Sequence, residues 1–402
     1  MVSKLGAAAL YKVYLGNTAI RKVYLGSDVM SLTPSFITNV PVILTRATEA
    51  WSQDLSGNLY RFAPGVPRQT NRGWQISGAA TRLHGEAPTN GANNGSTTST
   101  LAAEGLFNPL RVISGGSVNN RRATVSFAIT NATPVYIRGR IRAGTSGRVR
   151  IIPKNNTANT LTVLHGPVAS VSTVVSDAGA ITNLVNRLLP NGDRELTFTW
   201  TPNATAASAE IAIGPDSAVT GEYIDVIAMQ AATAYTDWIM GGTGTKAIAA
   251  DIMSINLTGL DMSAGFMLRM DGIVDATPRR EFDRFYTAGI NDGRITTFVN
   301  PSDGQFRVAQ VVASVNQANV TIRNAVTPPA AFAIIGAHGV NYVGGASGSS
   351  VATPDMAATY VTPSVLRIGS DASGTANLPL TLTAIRLVPG APTTPKVTEL
   401  AA

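Results

Sequence analysis

The chain has 402 residues, 44% of them hydrophobic and only 14% charged, and it has no cysteine. Disorder needs low hydrophobicity and high charge, so it is excluded for most of the length. A disulfide framework, a cysteine-ligated metal and a thiol nucleophile are excluded as well.

The net charge of +7 comes from 31 basic and 24 acidic residues. It is unevenly placed: between Glu104 and Asp177 no acidic residue occurs, while eight arginines and Lys154 do. A domain-sized stretch of one sign favours an anionic partner or an anionic neighbouring subunit. No apolar run approaches the ~20 residues of a membrane helix. The apolar stretch Leu5 to Leu10 is shorter than the roughly 7–15 residues of a secretory h-region. The expectation is a protein without a signal peptide and without membrane insertion, which would leave a cell by another route such as lysis.

In chain order, the first element is a repeat. Lys12–Gly16 reads KVYLG, and Lys22–Gly26 reads KVYLG again. Each copy has the form strand, Gly-polar turn, strand, which predicts a three-stranded β-meander near 11–15, 18–25 and 28–32. A meander of this size is marginal alone in water. Residues 1–33 are therefore read as an attachment module, with Tyr14, Leu15, Tyr24 and Leu25 as its contact residues. The alternative is a small cap on the next domain.

Residues 34–98 hold five prolines and the aromatic anchors Trp51, Phe62 and Trp74, then the polar run Thr89–Thr100. They read as a collar or linker segment that packs on something. Residues 99–240 read as one β-rich unit, with strands such as Ala123–Thr130 and Glu195–Trp200. Gly241–Thr245 (GGTGT) reads as a hinge, and 241–391 as a second β-rich unit, with strands such as Gly265–Met270 and Thr381–Val388. Residues 392–402 read as a flexible tail. The dipeptides Asn191-Gly192, Asp271-Gly272, Asp292-Gly293 and Asp303-Gly304 are hairpin-turn signals. The best helical candidate is the short Ile181–Leu189. Many short strands without intervening helices predict an all-β protein, with the small meander followed by two β-sandwich (jelly-roll) domains.

Candidate chemistry centres on arginine. In Tyr136–Arg142 (YIRGRIR), Arg138, Arg140 and Arg142 alternate with Gly139 and Ile141, so in a strand they share one face. The loop Ala143–Gly147 would then return a hairpin through Arg148 and Arg150. Five guanidiniums on one ribbon suit carboxylate, sulfate or phosphate. The functional reading is recognition of an acidic polysaccharide or of lipopolysaccharide phosphate, and the competing one is contact with acidic groups of a neighbouring subunit. A solvated face is the third reading. Nucleic acid is disfavoured, because only Tyr136 is available to stack bases.

No catalytic residues are assigned. Asp271, Asp275, Glu281 and Asp283 are the candidate carboxylates for a glycosidase pair, but they read more simply as a turn residue and a surface ion-pair cluster. His84, His165 and His338 show no ligand spacing and read as bonded structural histidines. No cofactor is expected. Calcium is compatible with a jelly roll, but no clustered Asp-x-Asp loop supports it.

Several stretches resemble phage and prophage structural proteins. Tyr223–Met240 (YIDVIAMQAATAYTDWIM) resembles the closing strand of their carbohydrate-binding-module-like jelly rolls, with Gln230, Tyr235 and Ile239 matching and Asp237-Trp238 departing. Thr45–Ala47, Phe62–Arg68 and Ala79–Leu83 look like the segment preceding that module. Arg294–Asn300, Leu366–Ser370 and Leu380–Pro389 are similar to a concanavalin A-like, laminin G-like fold. The KVYLG repeat looks like short hairpins of phage structural proteins.

The resemblance implies a virion fibre, spike or appendage protein on the particle surface. It implies other virion proteins as partners through residues 1–33, a homo-oligomer, expected as a trimer, and host-surface glycan as ligand. The rival readings are a tailspike-like polysaccharide depolymerase and a spacer without ligand.

Overall fold

A computed structural model gives the fold. It describes residues 42–84, 89–90, 97–116, 123–155, 162–176, 178–241, 244–275, 280–286, 293–300, 303–312, 315–325, 329–356, 359–369 and 379–401. It also describes the short strands at 14–15, 18–19, 22–25 and 28–31. The protein is all-β, built among the described residues from antiparallel sheets and one short helix.

The first sandwich packs an eight-stranded sheet on a six-stranded one. The alternation of its strands sets which side chains face inward. From the eight-stranded sheet, Val135, Ile137 and Ile141 point into the core with Leu196, Phe198 and Trp200. Val125, Phe127, Val149, Ile151, Ile211 and Ile213 meet them from the six-stranded sheet. Trp200 and Phe198 are almost wholly buried, and each side chain of this size stabilises the sandwich by about 1.5–3 kcal/mol. The second sandwich packs two seven-stranded sheets around Phe266, Leu268, Met270, Phe306, Val308, Phe332, Leu366 and Leu382.

Residues 42–82 do not form a separate collar. Val42–Thr45 pairs with Ile252–Asn256 at the edge of one seven-stranded sheet. Arg68–Thr70 and Gly73–Ile76 form a hairpin that adds to the other, with Trp74 opposite Leu382. Ala80–Arg82 pairs with Lys246–Ile248 and touches the strand Tyr223–Ala232, in the eight-stranded sheet of the first sandwich. The hairpin Ala50–Gln53/Leu59–Phe62 belongs to neither sandwich. Its Trp51 and Leu59 lie on the outer face of the eight-stranded sheet, against Phe107, Ile227 and Trp238. The polar segment continues the weave, since Thr89–Asn90 pairs with the six-stranded sheet and Thr97–Thr100 with the eight-stranded one.

Four further expectations change. Ile181–Leu189 is not helical: Gly179–Leu188 is an edge strand paired with Arg194–Pro202. Its register shifts between Thr182 and Val185, where Asn183 has φ 55°. The bulge reverses the alternation, so Ile181 and Leu184 both pack on the core, and a strand acquires a spacing of three that imitates a helix. Asp271-Gly272 is not a turn but lies inside the strand Gly265–Val274. Asn191-Gly192 and Asp303-Gly304 do turn, with Gly192 and Gly304 at φ 87° and 69°. Asp292 lies outside the described residues.

The tail is not free either. Thr394–Ala401 is a helix whose Val397 and Leu400 pack on Met267, Ile335 and Tyr342, and Arg269 Nη1 donates to the Leu400 carbonyl at 2.6 Å.

At the N-terminus the described ladders are two two-stranded hairpins. Tyr14–Leu15 pairs with Thr18–Ala19, and Lys22–Leu25 with Asp28–Ser31. Tyr14 faces Ala19 and Tyr24 faces Val29, the same register ten residues on. Among the described residues no ladder joins the two into one meander. The side chains of Tyr14, Leu15, Tyr24 and Leu25 lie outside the described residues.

Candidate functional site

The arginine pattern folds as a strand but not as a ribbon. Val135–Arg142 pairs with Arg194–Pro202 and Tyr223–Ala232 in the eight-stranded sheet. Arg148–Lys154 pairs with Thr162–Pro167 and Ala206–Pro215 in the six-stranded sheet. The loop 143–147 crosses between sheets instead of closing a hairpin, because Ile137, Ile141, Val149 and Ile151 all have to face one core. The five guanidiniums are thereby split between the outer faces of two sheets.

Each of them meets carboxylates of its own chain. Arg138 Nη1 donates to Glu195 Oε1 at 2.6 Å and to Asp237 Oδ1 at 2.9 Å, and only 2% of its side chain is exposed. Arg140 Nε donates to Asp193 Oδ2 at 2.9 Å, and its Nη1 to the Gly57 carbonyl at 2.9 Å. Arg142 reaches both oxygens of Glu104 and Asp193 Oδ1, each at 2.9 Å. Arg148 and Arg150 lie 3.1 and 3.7 Å from Asp216, which also meets His165 Nδ1 at 3.1 Å. The hairpin 50–62 covers Arg138 and Arg140. Gly57, with φ 88° at its tip, brings a carbonyl onto Arg140 where a Cβ would crowd the Leu189 side chain.

The functional residues that sequence reasoning missed lie beneath that hairpin, where the two sandwiches meet. Asp237 accepts from Arg138, from Ser52 Oγ at 3.1 Å and from the Gln53 amide at 3.3 Å. Arg72, in the turn of the 68–76 hairpin, places Nη1 3.8 Å from Asp237 and Nη2 3.7 Å from Asp275. Asp275 follows the strand Gly265–Val274 of the second sandwich and accepts from Thr381 at 2.7 Å. Asp251 binds Arg46 at 2.7 Å, Arg68, and the Ser77 amide at 3.0 Å. Four arginines (46, 68, 72, 138) thus stand against four carboxylates (195, 237, 251, 275), a buried set of zero net charge.

The segment 235–240 is held from both sides. Gln230 donates to the Asp237 carbonyl at 3.1 Å and accepts from the Ile239 amide at 2.7 Å. Arg82 donates to the carbonyls of Ile239, Gly241 and Gly244 at 2.6, 3.1 and 3.0 Å. The expected hinge is therefore pinned at its described residues.

The electrostatics separate the carboxylates. Burial would raise Asp237, but Arg138, Arg72 and Arg68 outweigh it and hold the group below its usual range. Glu195 is lowered in the same way, against burial, by Arg138 and Arg187. At Asp275 burial prevails over Arg72, and the pKa is raised. Two carboxyls pushed apart in one place suggest an acid and base pair. The cavity between them, lined by Arg68, Arg72, Thr236, Asp237, Asp275 and Thr381, measures about 10 Å³. That is room for about one water molecule, in an arrangement that links residues of both sandwiches.

Of the remaining candidates, Asp271 meets Arg269 at 3.2 Å, while the side chains of Glu281 and Asp283 lie outside the described residues. His84 accepts from the Ala231 amide at 2.9 Å. His338 departs from expectation: it is fully buried against Phe266, neither ring nitrogen has a hydrogen-bond partner among the described residues, and burial pushes its pKa down to about 3. Among the described residues no group of three His, Asp or Glu side chains is placed to hold a metal ion. No known protein-family model matches the chain, and no curated protein matches it.

Proposed function

We propose that this chain is a structural protein of a bacteriophage or phage-like particle, a fibre, spike or appendage. In this reading it is attached through the hairpins of residues 1–33 and presents two β-sandwiches to host-surface glycan, without catalytic activity of its own. The observation that carries the reading is the junction. Residues 42–82 contribute strands to both sandwiches and bury arginines between them, which fits one joined body that follows a tandem pair of short hairpins sharing the sequence KVYLG. Small hairpins gain stability by adding to other sheets, which fits docking on a neighbouring virion protein or on further copies, a trimer being the reading implied by resemblance.

The test is deletion of residues 1–33. The shortened chain should stay folded and lose incorporation into the particle. Full incorporation would move attachment elsewhere, and release of reducing sugar from surface polysaccharide would replace the binding role by a depolymerase. A spacer without ligand is the second reading, favoured by the enclosure of Arg138 and Arg140 in their own ion pairs.

A further inference from the structure

The loop 189–193 joins the edge strand Gly179–Leu188 to Arg194–Pro202 and carries the Asn191-Gly192 turn. Two backbone bonds close it: the Leu189 amide donates to the Asp193 carbonyl at 2.8 Å, and the Gly192 amide to the Leu189 carbonyl at 2.9 Å. Pro190, Asn191 and Gly192 are exposed, whereas Asp193 is fully buried. The Asn191 side chain folds back on that aspartate. Its Oδ1 accepts from the Asp193 amide at 3.2 Å, and its Nδ2 donates to Asp193 Oδ2 at 2.9 Å.

Two features make this turn reactive. The residue after Asn191 is a glycine at φ 87°, and apart from its chain neighbours no atom lies within 4 Å of where a Cβ would stand. Nothing bulky therefore keeps the Gly192 nitrogen from the Asn191 amide carbon. The amide oxygen of Asn191, which takes up negative charge when that nitrogen attacks, already receives the Asp193 N–H, and a donor so aimed stabilises the charge. What the turn positions is Asp193. Its Oδ2 accepts from Arg140 Nε and its Oδ1 from Arg142 Nε, each at 2.9 Å, and Arg140 in turn holds the Gly57 carbonyl at the tip of the hairpin 50–62.

We propose that Asn191 is a site of spontaneous deamidation, and that its products loosen the Asp193 clamp on Arg140 and Arg142. The Gly192 nitrogen bonds to Asn191 Cγ and gives its proton to solvent base. The Cγ–Nδ2 bond breaks, and Nδ2 leaves as ammonia, taking a proton from water. Water then opens the succinimide at either carbonyl, leaving aspartate or isoaspartate. Water is consumed, ammonia is released, and nothing is oxidised or reduced. The hydrogen bond from Gly192 to Leu189 has to open first, so the folded chain reacts through local opening of the loop. Aspartate at 191 replaces the N–H donor beside Asp193 Oδ2 by a second carboxylate, and like charges in contact disfavour each other's ionised form. Isoaspartate adds a backbone methylene to a loop whose register those two backbone bonds set. Either product draws Asp193 from Arg140, and the hairpin tip loses its anchor.

The test incubates the folded full chain at mildly acidic and mildly alkaline pH and maps its tryptic peptides by mass spectrometry, with isoaspartyl methyltransferase as a second readout. Expected is the amide-to-acid mass change in peptide 188–194, faster at alkaline pH and absent in Asn191→Gln, whose longer side chain closes no succinimide. The Asn-Gly pairs at 90–91 and 94–95 fall in a different tryptic peptide. In Asn191→Asp, hydrogen exchange across residues 50–62 should quicken by roughly tenfold, the equivalent of one lost hydrogen bond to a charged group. An intact Asn191 in the folded chain, under conditions where the isolated peptide 188–194 deamidates, overturns the site. The wild-type time course decides this even where Asn191→Gln misfolds. Unchanged exchange of 50–62 in Asn191→Asp, and in the deamidated wild-type chain, overturns the loosening.

Discussion

Arg46 Nη1 lies 2.7 Å from Asp251 Oδ1 although 205 positions separate them, and both side chains are essentially unexposed. Asp251 also takes Arg68 on its second oxygen, so one carboxylate closes two guanidiniums from the segment before the first sandwich. Asp251→Ala should cost about 3–5 kcal/mol, because it leaves buried charge without a partner. A denaturant titration following tryptophan fluorescence checks this. A loss below about 1 kcal/mol would show that the two arginines find water or other acceptors.

Asp237 and Asp275 lie on either side of Arg72 and should respond oppositely. Asp237 is held below its usual range, so its stabilisation is present above the unfolded pKa and is lost as pH falls through the folded one. Asp275 is raised, so its contribution is greatest below the unfolded pKa and is lost as pH rises through the folded value. At pH 7, Asp237→Asn should therefore destabilise by about 3 kcal/mol or more, whereas Asp275→Asn should stay within about 1 kcal/mol of wild type. Equal losses in melting experiments would contradict the assignment.

His338 supplies an acid-sensitive term. Its folded pKa lies near 3 against 6.5 for the free side chain, so the unfolded state takes up the proton first. Stability should be fully present above about pH 6.5 and decline towards pH 3, by on the order of 4 kcal/mol. His338→Met should flatten that decline in pH-dependent unfolding, with little change at pH 8. A slope identical to wild type would place the acid sensitivity in the carboxylates alone.

Residues 246–402 expressed alone lack the strands Val42–Thr45 and Gly73–Ile76, and they lose Ile76 from the core. This fragment should fail to melt cooperatively. A chain starting at residue 42 should give a single cooperative transition by calorimetry. Two separate transitions in that longer chain would show that the ion-paired junction does not couple the sandwiches.

The all-β class, the strands and the Asn191-Gly192 and Asp303-Gly304 turns were legible, because period-two alternation and turn dipeptides are local signals. The same alternation revealed that Arg138, Arg140 and Arg142 share a face. What it could not reveal is the cover. Their acidic partners Asp193, Glu195 and Asp237 lie about 50 to 100 positions on, and the hairpin over them comes from residues 50–62. The aromatic residues of the 42–82 segment did signal that it packs, without indicating that it packs on both sandwiches. Asp237-Trp238, which departs from the pattern that Tyr223–Met240 otherwise resembles, is where the structure concentrates its contacts: Trp238 stacks edge-on against Phe107 at 5.4 Å, and Asp237 gathers Arg138, Ser52 and Gln53.

The placement of Gly73–Ile76 also governs how the chain is made. Trp74 is synthesised early, yet its partner in the ladder is Leu382. Translation at about 5–20 residues per second separates the two by roughly 15–60 s. Through that interval the hairpin of residues 68–76 lacks the strand it joins, while the first sandwich can already close around residues 99–240. Completion of the second sandwich must then wait for release of nearly the whole chain. A topology of such high contact order folds slowly, and the yield of recombinant chain should rise when synthesis is slowed by cold.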